Sequence, residues 1–202
     1  MKLFAKIISV LLHPLLMPTY IVILLFNSGG YIGFNLNQKL ELIIYAIVFF
    51  NTFLFPGLLS FILLKKKKIN SLQMEDKSER RLPYLITAAF YILTYYLLRK
   101  FNLSALLYVI MLGASTAILI SMLINFKWKV SAHMVGIGGL IGVLIGLSLR
   151  LQMDFTFLII CFTFLAGLLG TARLILNAHI PAQVFVGFMV GCLTQLFLFL
   201  FL

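Results

Sequence analysis

The sequence predicts an all-α protein: a polytopic bundle of six or seven transmembrane helices forming a single domain over residues 1–202. Three observations carry that expectation. Apolar residues make up 63% of the 202 and charged residues only 10%, whereas soluble domains carry about 25% charged residues. Uncharged stretches recur along the whole chain, each close to the roughly 20 residues that a hydrocarbon core of about 30 Å requires. A chain of this length that spends itself on such stretches has no room for a separate soluble domain.

The stretches run over 7–26, 42–64, 83–98, 103–125, 133–149, 155–172 and 182–202. The first follows a basic start, Lys2 and Lys6, and so looks like a signal peptide. It lacks a small-residue cleavage pattern and contains His13, Pro14 and Pro18, so it reads as a retained first helix. The second lies between Glu41 and the run Lys65 to Lys68. The third and fourth leave room for two readings, two spans or one hairpin over 83–125 that barely crosses, and hence for seven spans or six. The fifth carries Gly138, Gly142 and Gly146 on one helix face, and the seventh carries Gly187 and Gly191, a spacing that lets helix backbones approach closely in lipid. The sixth is bounded by Asp154 and Arg173.

Sixteen Lys and Arg against five acids give a net charge of +11. With so little surface outside the bilayer, the excess speaks for anionic lipid or a phosphorylated substrate and against nucleic acid. If all seven stretches cross, Lys2, Lys6, Lys65 to Lys68, Lys77, Arg80, Arg81, Lys127, Lys129 and Arg173 share one side, and Lys39, Arg99, Lys100 and Arg150 the other. The positive-inside rule places the richer side in the cytoplasm, giving a multi-pass protein of a bacterial cytoplasmic membrane. Cys161 and Cys192 sit in apolar runs and suggest neither a disulfide nor a metal site. No metal or cofactor is expected.

Ionisable groups near membrane depth are costly, so the three clusters here are informative. They are Glu75 to Pro83 before the third span, Lys127 to His133 before the fifth, and Arg173 to Gln183 before the seventh. Span parity puts all three at one membrane face. Arginine forks bind phosphate oxygens in bidentate fashion, a hydroxyl and a helix start add donors, and one imidazole can attack phosphorus while another protonates the leaving oxygen. Taken singly, each basic residue is also explained as an interfacial anchor, His133 as a polar helix start and His179 as a turn residue before Pro181.

Together these residues resemble the signatures of the type 2 phosphatidic acid phosphatase superfamily of membrane lipid phosphatases, over roughly 76–187. In TARLILNAHIPAQVFVG the spacing from Arg173 to His179, followed by Pro181, Val184 and Gly187, matches the third signature. Ser131-Ala132-His133 is similar to the second, and Lys77, Arg80, Arg81 and Pro83 are loosely similar to the first. The resemblance implies that His179 forms a phospho-histidine intermediate and that His133 protonates the leaving alkoxide. It also implies that Arg81, Arg173 and Ser131 hold phosphate oxygens with help from Lys77 or Arg80. The substrate implied is a lipid phosphate or an isoprenyl pyrophosphate, and relatives commonly work on the outer membrane face, opposite to the charge count.

Departures are as specific as the matches. Gln183 stands where the family has the aspartate that orients the nucleophilic histidine, Ala132 replaces a glycine and Ala172 a serine. A neutral amide can orient an imidazole but does not stabilise an imidazolium as a carboxylate does. That leaves an inactive relative, binding or translocating an anionic lipid through the same pocket, as the alternative. A small transporter is the third reading, and the spans hold essentially no intramembrane acid apart from Glu41 and Asp154 at their edges to favour it. His13 matches no position of the family and reads as an interior polar contact or a substrate-lining group.

Overall fold

Among the described residues, seven helical segments have membrane-spanning length and composition. The fold is seen in a computed structural model that describes residues 1–28, 37–74, 76–101 and 105–201. The chain is a multi-pass membrane protein with an all-α bundle, and among the described residues there is no strand. The first segment is α1 (Lys2–Leu11) and α2 (Met17–Asn27), and the second is α3 (Gln38–Phe49) and α4 (Phe55–Lys65). The others are α5 (Arg81–Arg99), α6 (Ala105–Asn125), α7 (Ala132–Leu151), α8 (Thr156–Ile175) and α9 (Pro181–Phe201). The possible hairpin over 83–125 is two full helices, α5 and α6, packed along each other. Leu103 and Glu75, part of the expected fourth span and first cluster, lie outside the described residues.

Backbone polar groups have no water partner in hydrocarbon, so a helix can be interrupted there only if its freed groups find protein partners. Pro14 has no N–H and breaks the first segment. Around that break, Leu12 N–H bonds the Ile8 carbonyl at 2.9 Å and Leu16 N–H the His13 carbonyl at 2.9 Å. The Tyr20 hydroxyl donates to the Leu11 carbonyl at 2.8 Å, and the Thr52 hydroxyl to the Leu15 carbonyl at 3.2 Å. Thr52 comes from a π-helical turn over Phe50–Leu54 that joins α3 to α4 just before Pro56. The second irregular helix thus supplies a donor to the break in the first.

α7 is the most buried of the spans and packs most extensively on α9. A Cβ added at Gly138 would meet the Phe188 backbone, one at Gly142 the Cys192 backbone, and one at Gly191 the Val135 backbone. The glycine faces read from the sequence are therefore the seam between these two helices. Gln195 on α9 adds a polar link, donating from Nε2 to the Ile110 carbonyl of α6 at 3.0 Å, the kind of interhelical bond that contributes about 0.6 kcal/mol, up to about 1.7, in a bilayer.

The seam predicts a contrast between two chemically identical changes. Gly142→Ala should lower stability by about 1–3 kcal/mol through overpacking. Gly167→Ala, where a Cβ meets nothing within 4 Å, should be neutral. Unfolding in mixed micelles would measure both.

Candidate functional site

The three polar clusters meet at one end of the bundle because three short connections and the ends of their helices bond one another. Ser131 N–H donates to the Gln183 carbonyl at 3.3 Å, tying the start of α7 to the start of α9. Lys77 Nζ donates to the Lys127 carbonyl at 3.2 Å and Asn125 Nδ2 to the Lys77 carbonyl at 2.6 Å, tying the connection before α5 to the end of α6. Arg80, in a 3-10 turn over Ser78–Arg80, is 6% exposed. Its Nη1 donates to the Val130 carbonyl at 2.8 Å and its Nε to the Met74 carbonyl at 2.9 Å.

His179 is planted by local chain chemistry. α8 closes with Asn177 in the left-handed region (φ 52°) and Ala178 N–H reaching back to the Arg173 carbonyl at 3.1 Å, a Schellman-type ending. Pro181 then opens α9 at its first position, where its missing N–H costs nothing. His179 sits between the two, 7% exposed.

The partners of its ring fix its tautomer. Gln183 Oε1 lies 3.0 Å from His179 Nδ1 and also accepts the Ile180 backbone N–H at 3.3 Å. An atom that accepts from a backbone N–H is the amide oxygen, so Nδ1 of His179 carries the proton it donates. Nε2 keeps its lone pair. Burial foremost, together with the positive charges of Arg80, Lys129 and Arg173, holds the His179 pKa down at about 3, with the Gln183 hydrogen bond opposing the shift in part. The ring is therefore neutral at ordinary pH.

His133, in the first turn of α7, lies 3.0 Å through Nε2 from the Ser9 carbonyl. A carbonyl only accepts, so Nε2 carries that proton and Nδ1 is the nitrogen left for exchange. Arg173 in the last turn of α8 donates from Nη1 to Ser9 Oγ at 3.2 Å, and its buried Nε has no hydrogen-bond partner within the protein. The hydroxyl of Ser131, fully buried at the N-cap of α7, has none either. His179, His133 and His13 all lie within the field of Arg173. Among the described residues no three His, Cys, Asp or Glu side chains form a metal-binding group.

Most residues singled out in the sequence converge here: His179, His133, Arg173, Ser131, Gln183 and Arg80. Two do not. Arg81 is exposed and its guanidinium stacks 4.7 Å above the Phe126 ring, because the 3-10 turn rotates Arg80 inward and its neighbour outward. Lys77 spends its ammonium on the Lys127 carbonyl. Three others join that the sequence did not place in the site. Lys129 lies in the field of His179. Ser9 bonds both His133 and Arg173. His13 packs edge-on against the His133 ring with centroids 5.6 Å apart. The only sequence signal for His13 is an imidazole next to a proline inside an apolar span, and Ser9 has none.

No family model, no curated protein and no solved structure matches this chain.

The His179 shift has a consequence for stability. Unfolding restores a pKa near 6.5, so the neutral buried ring stabilises the fold fully above about pH 6.5, and that contribution is lost as pH falls toward 3. The unfolding midpoint of the wild type should fall between pH 7 and pH 4, and His179→Asn should flatten part of that decline. Thermal unfolding in detergent across this range reads both.

Proposed function

We propose that this protein is a membrane phosphatase that hydrolyses a lipid phosphate or an isoprenyl pyrophosphate through a phospho-histidine intermediate, a degenerate relative of the type 2 phosphatidic acid phosphatases. The observation that supports it most is the neutral His179, with Nδ1–H held by Gln183 and Nε2 unprotonated, set among Arg80, Lys129 and Arg173. Such chemistry demands little beyond a positioned nucleophile and fixed positive charge.

In this reading Nε2 of His179 attacks phosphorus as the bond to the leaving oxygen breaks. The negative charge of the bound phosphate supports His133 in its doubly protonated form, and His133 gives the Nδ1 proton to the departing alkoxide or phosphate. Water then attacks the phosphorus of phospho-His179, Nδ1 of His133 takes its proton, and His179 is regenerated with phosphate released. The two orphaned donors, Arg173 Nε and Ser131 Oγ, together with the Arg80 guanidinium, stabilise the transferring oxygens. In this assignment Arg80, not Arg81, fills the role of the first signature.

Gln183 gives specific support to a second reading, a relative that binds an anionic lipid without turnover. It supplies orientation to His179 but no charge to stabilise the imidazolium that forms. Hydrogen bonds to charged groups exceed neutral ones by about 1 kcal/mol or slightly more, so Gln183→Asp should speed a working enzyme about tenfold.

Phosphate release from phosphatidic acid, phosphatidylglycerol phosphate and isoprenyl pyrophosphates by the purified protein decides between the two. Turnover should vanish in His179→Ala. It should fall about a hundredfold in Arg80→Lys, which keeps the charge and loses the fork, and change less than about threefold in Arg81→Ala. A silent wild type rescued by Gln183→Asp would favour the binding protein.

The cytoplasmic placement of the site rests on the charge asymmetry. With Cys161 and Cys192 replaced, a cysteine at Lys67 should react with an impermeant thiol reagent only after the membrane is opened. Labelling of intact cells would put the site outside.

A further inference from the structure

Buried polar groups are almost always hydrogen-bonded, so each one left over needs an explanation. Among the described residues four buried donors have no partner: the hydroxyls of Thr19, Tyr84 and Ser131, and Nε of Arg173. Thr19 lies in α2, beyond the break at Pro14. The other three gather at the end of the bundle where the polar clusters meet, and Tyr84 belongs to none of the motifs that mark the site.

Tyr84 is in the first turn of α5, four residues after Arg80. Residues four apart share one face of a helix, so the turn that carries Arg80 inward carries Tyr84 the same way. The ring is half-buried, while its hydroxyl oxygen is buried outright. That oxygen lies in the field of the Arg80 guanidinium. A guanidinium has only donors to offer, so toward Arg80 the phenol oxygen serves as an acceptor and its O–H proton is still unplaced. Arg80 itself is held by the Val130 and Met74 carbonyls, and Val130 adjoins Ser131. The orphaned hydroxyls of α5 and α7 are thus linked through one immobilised cation.

The chain's own acceptors nearby are engaged. Glu79 accepts from the side chain and backbone N–H of Asn70, and Asp76 accepts from the Ser78 N–H at 2.8 Å. Donors without acceptors, set beside fixed positive charge, match a ligand whose exposed atoms are all anionic oxygens.

We propose that Tyr84 is a further phosphate-binding residue of this site, its O–H donating to an oxygen of the phosphoryl group that Arg80, Arg173 and Ser131 hold. The proposal rests on the phosphatase reading for the identity of the anion, and not for its turnover. A neutral hydroxyl adds a bond to the anion without adding to the positive charge already crowded around His179. Because the hydroxyl is unsatisfied until the ligand arrives, binding and stability respond to its removal in different ways.

The test compares purified full-length wild type with Tyr84→Phe and with Tyr96→Phe, a change on the exposed side of the same helix. Each is melted in detergent without ligand. Each is then titrated by calorimetry with inorganic phosphate, dioctanoyl phosphatidic acid and dioctanoyl phosphatidylcholine. Without ligand, Tyr84→Phe should melt at the wild-type temperature or above it, because the hydroxyl it deletes has no bond to lose. Its affinity for inorganic phosphate and phosphatidic acid should fall about tenfold, the scale of one hydrogen bond to a charged group. Tyr96→Phe should bind as the wild type does, and phosphatidylcholine, a capped diester, should show no dependence on Tyr84. Tighter wild-type binding of phosphatidic acid than of inorganic phosphate names a lipid headgroup as the source of the anion; the reverse order names free phosphate.

Unchanged affinity in Tyr84→Phe would overturn the proposal and leave the hydroxyl to a bound water. Misfolding of Tyr84→Phe, or a drop of about 3 °C or more in its unliganded melting temperature, would overturn it as well, by showing that the hydroxyl is bonded within the protein. Binding that depends on Tyr84 without any phosphate release would sink the phosphatase reading and uphold the anion site. Turnover that needs His179 but ignores Tyr84 in affinity and KM would sink the role of Tyr84 alone, and a wild type that binds neither phosphate ligand would overturn both.

Discussion

The backbone-to-backbone approach of α7 and α9 is the constraint on which the site depends. Because Gly138, Gly142 and Gly191 place no side chain between the two helices, the start of α7 comes close enough to the start of α9 for Ser131 N–H to reach the Gln183 carbonyl. Gly187 completes the arrangement, since a Cβ there would run into the Ser131 carbonyl. In lipid no hydrophobic effect draws helices together, so close packing of small residues must supply the association. What looks like a packing motif deep in the bundle therefore sets the separation of His133 and His179 at its rim.

Around that seam the remaining elements act as braces. α8 contributes Arg173 from its last turn, the 3-10 turn before α5 contributes Arg80, and α1 contributes Ser9. Each guanidinium is anchored by at least one bond to the protein, so the share of the positive field at His179 that Arg80 and Arg173 supply comes from fixed groups. Fixed charge in a site screened from water is the form in which electrostatics does most for phosphoryl transfer. The neutrality of His179 follows first from its burial and then from the same field, which penalises a further positive charge beside Arg80, Lys129 and Arg173.

Much of the fold was legible because lipid imposes few solutions: seven long apolar stretches became seven helical segments, and the four-residue glycine spacing became the α7–α9 seam. The grouping of the three clusters followed from parity alone. The rest depended on short-range geometry that residue types do not encode. Arg80 and Arg81 are identical in sequence terms, and only the rotation of one 3-10 turn decides which enters the cluster. The π-helical turn at Phe50–Leu54 leaves no mark beyond Pro56. The shortness of the third stretch suggested a shallow hairpin, yet the helical segment there gains its length from Arg81 and Leu82 and from the 3-10 turn before them.

Ser9 illustrates a different kind of dependence. His133 is oriented by a main-chain carbonyl at the ragged end of α1, a group that every amino acid at position 9 would present. Its protonation pattern is thus inherited from where a helix lies, and drift in side-chain identity along that helix leaves it untouched so long as the helix stays put. A search for the partner of this histidine by the pairing of residue types would find nothing, although the partner is there in every sequence that keeps the same path of the chain.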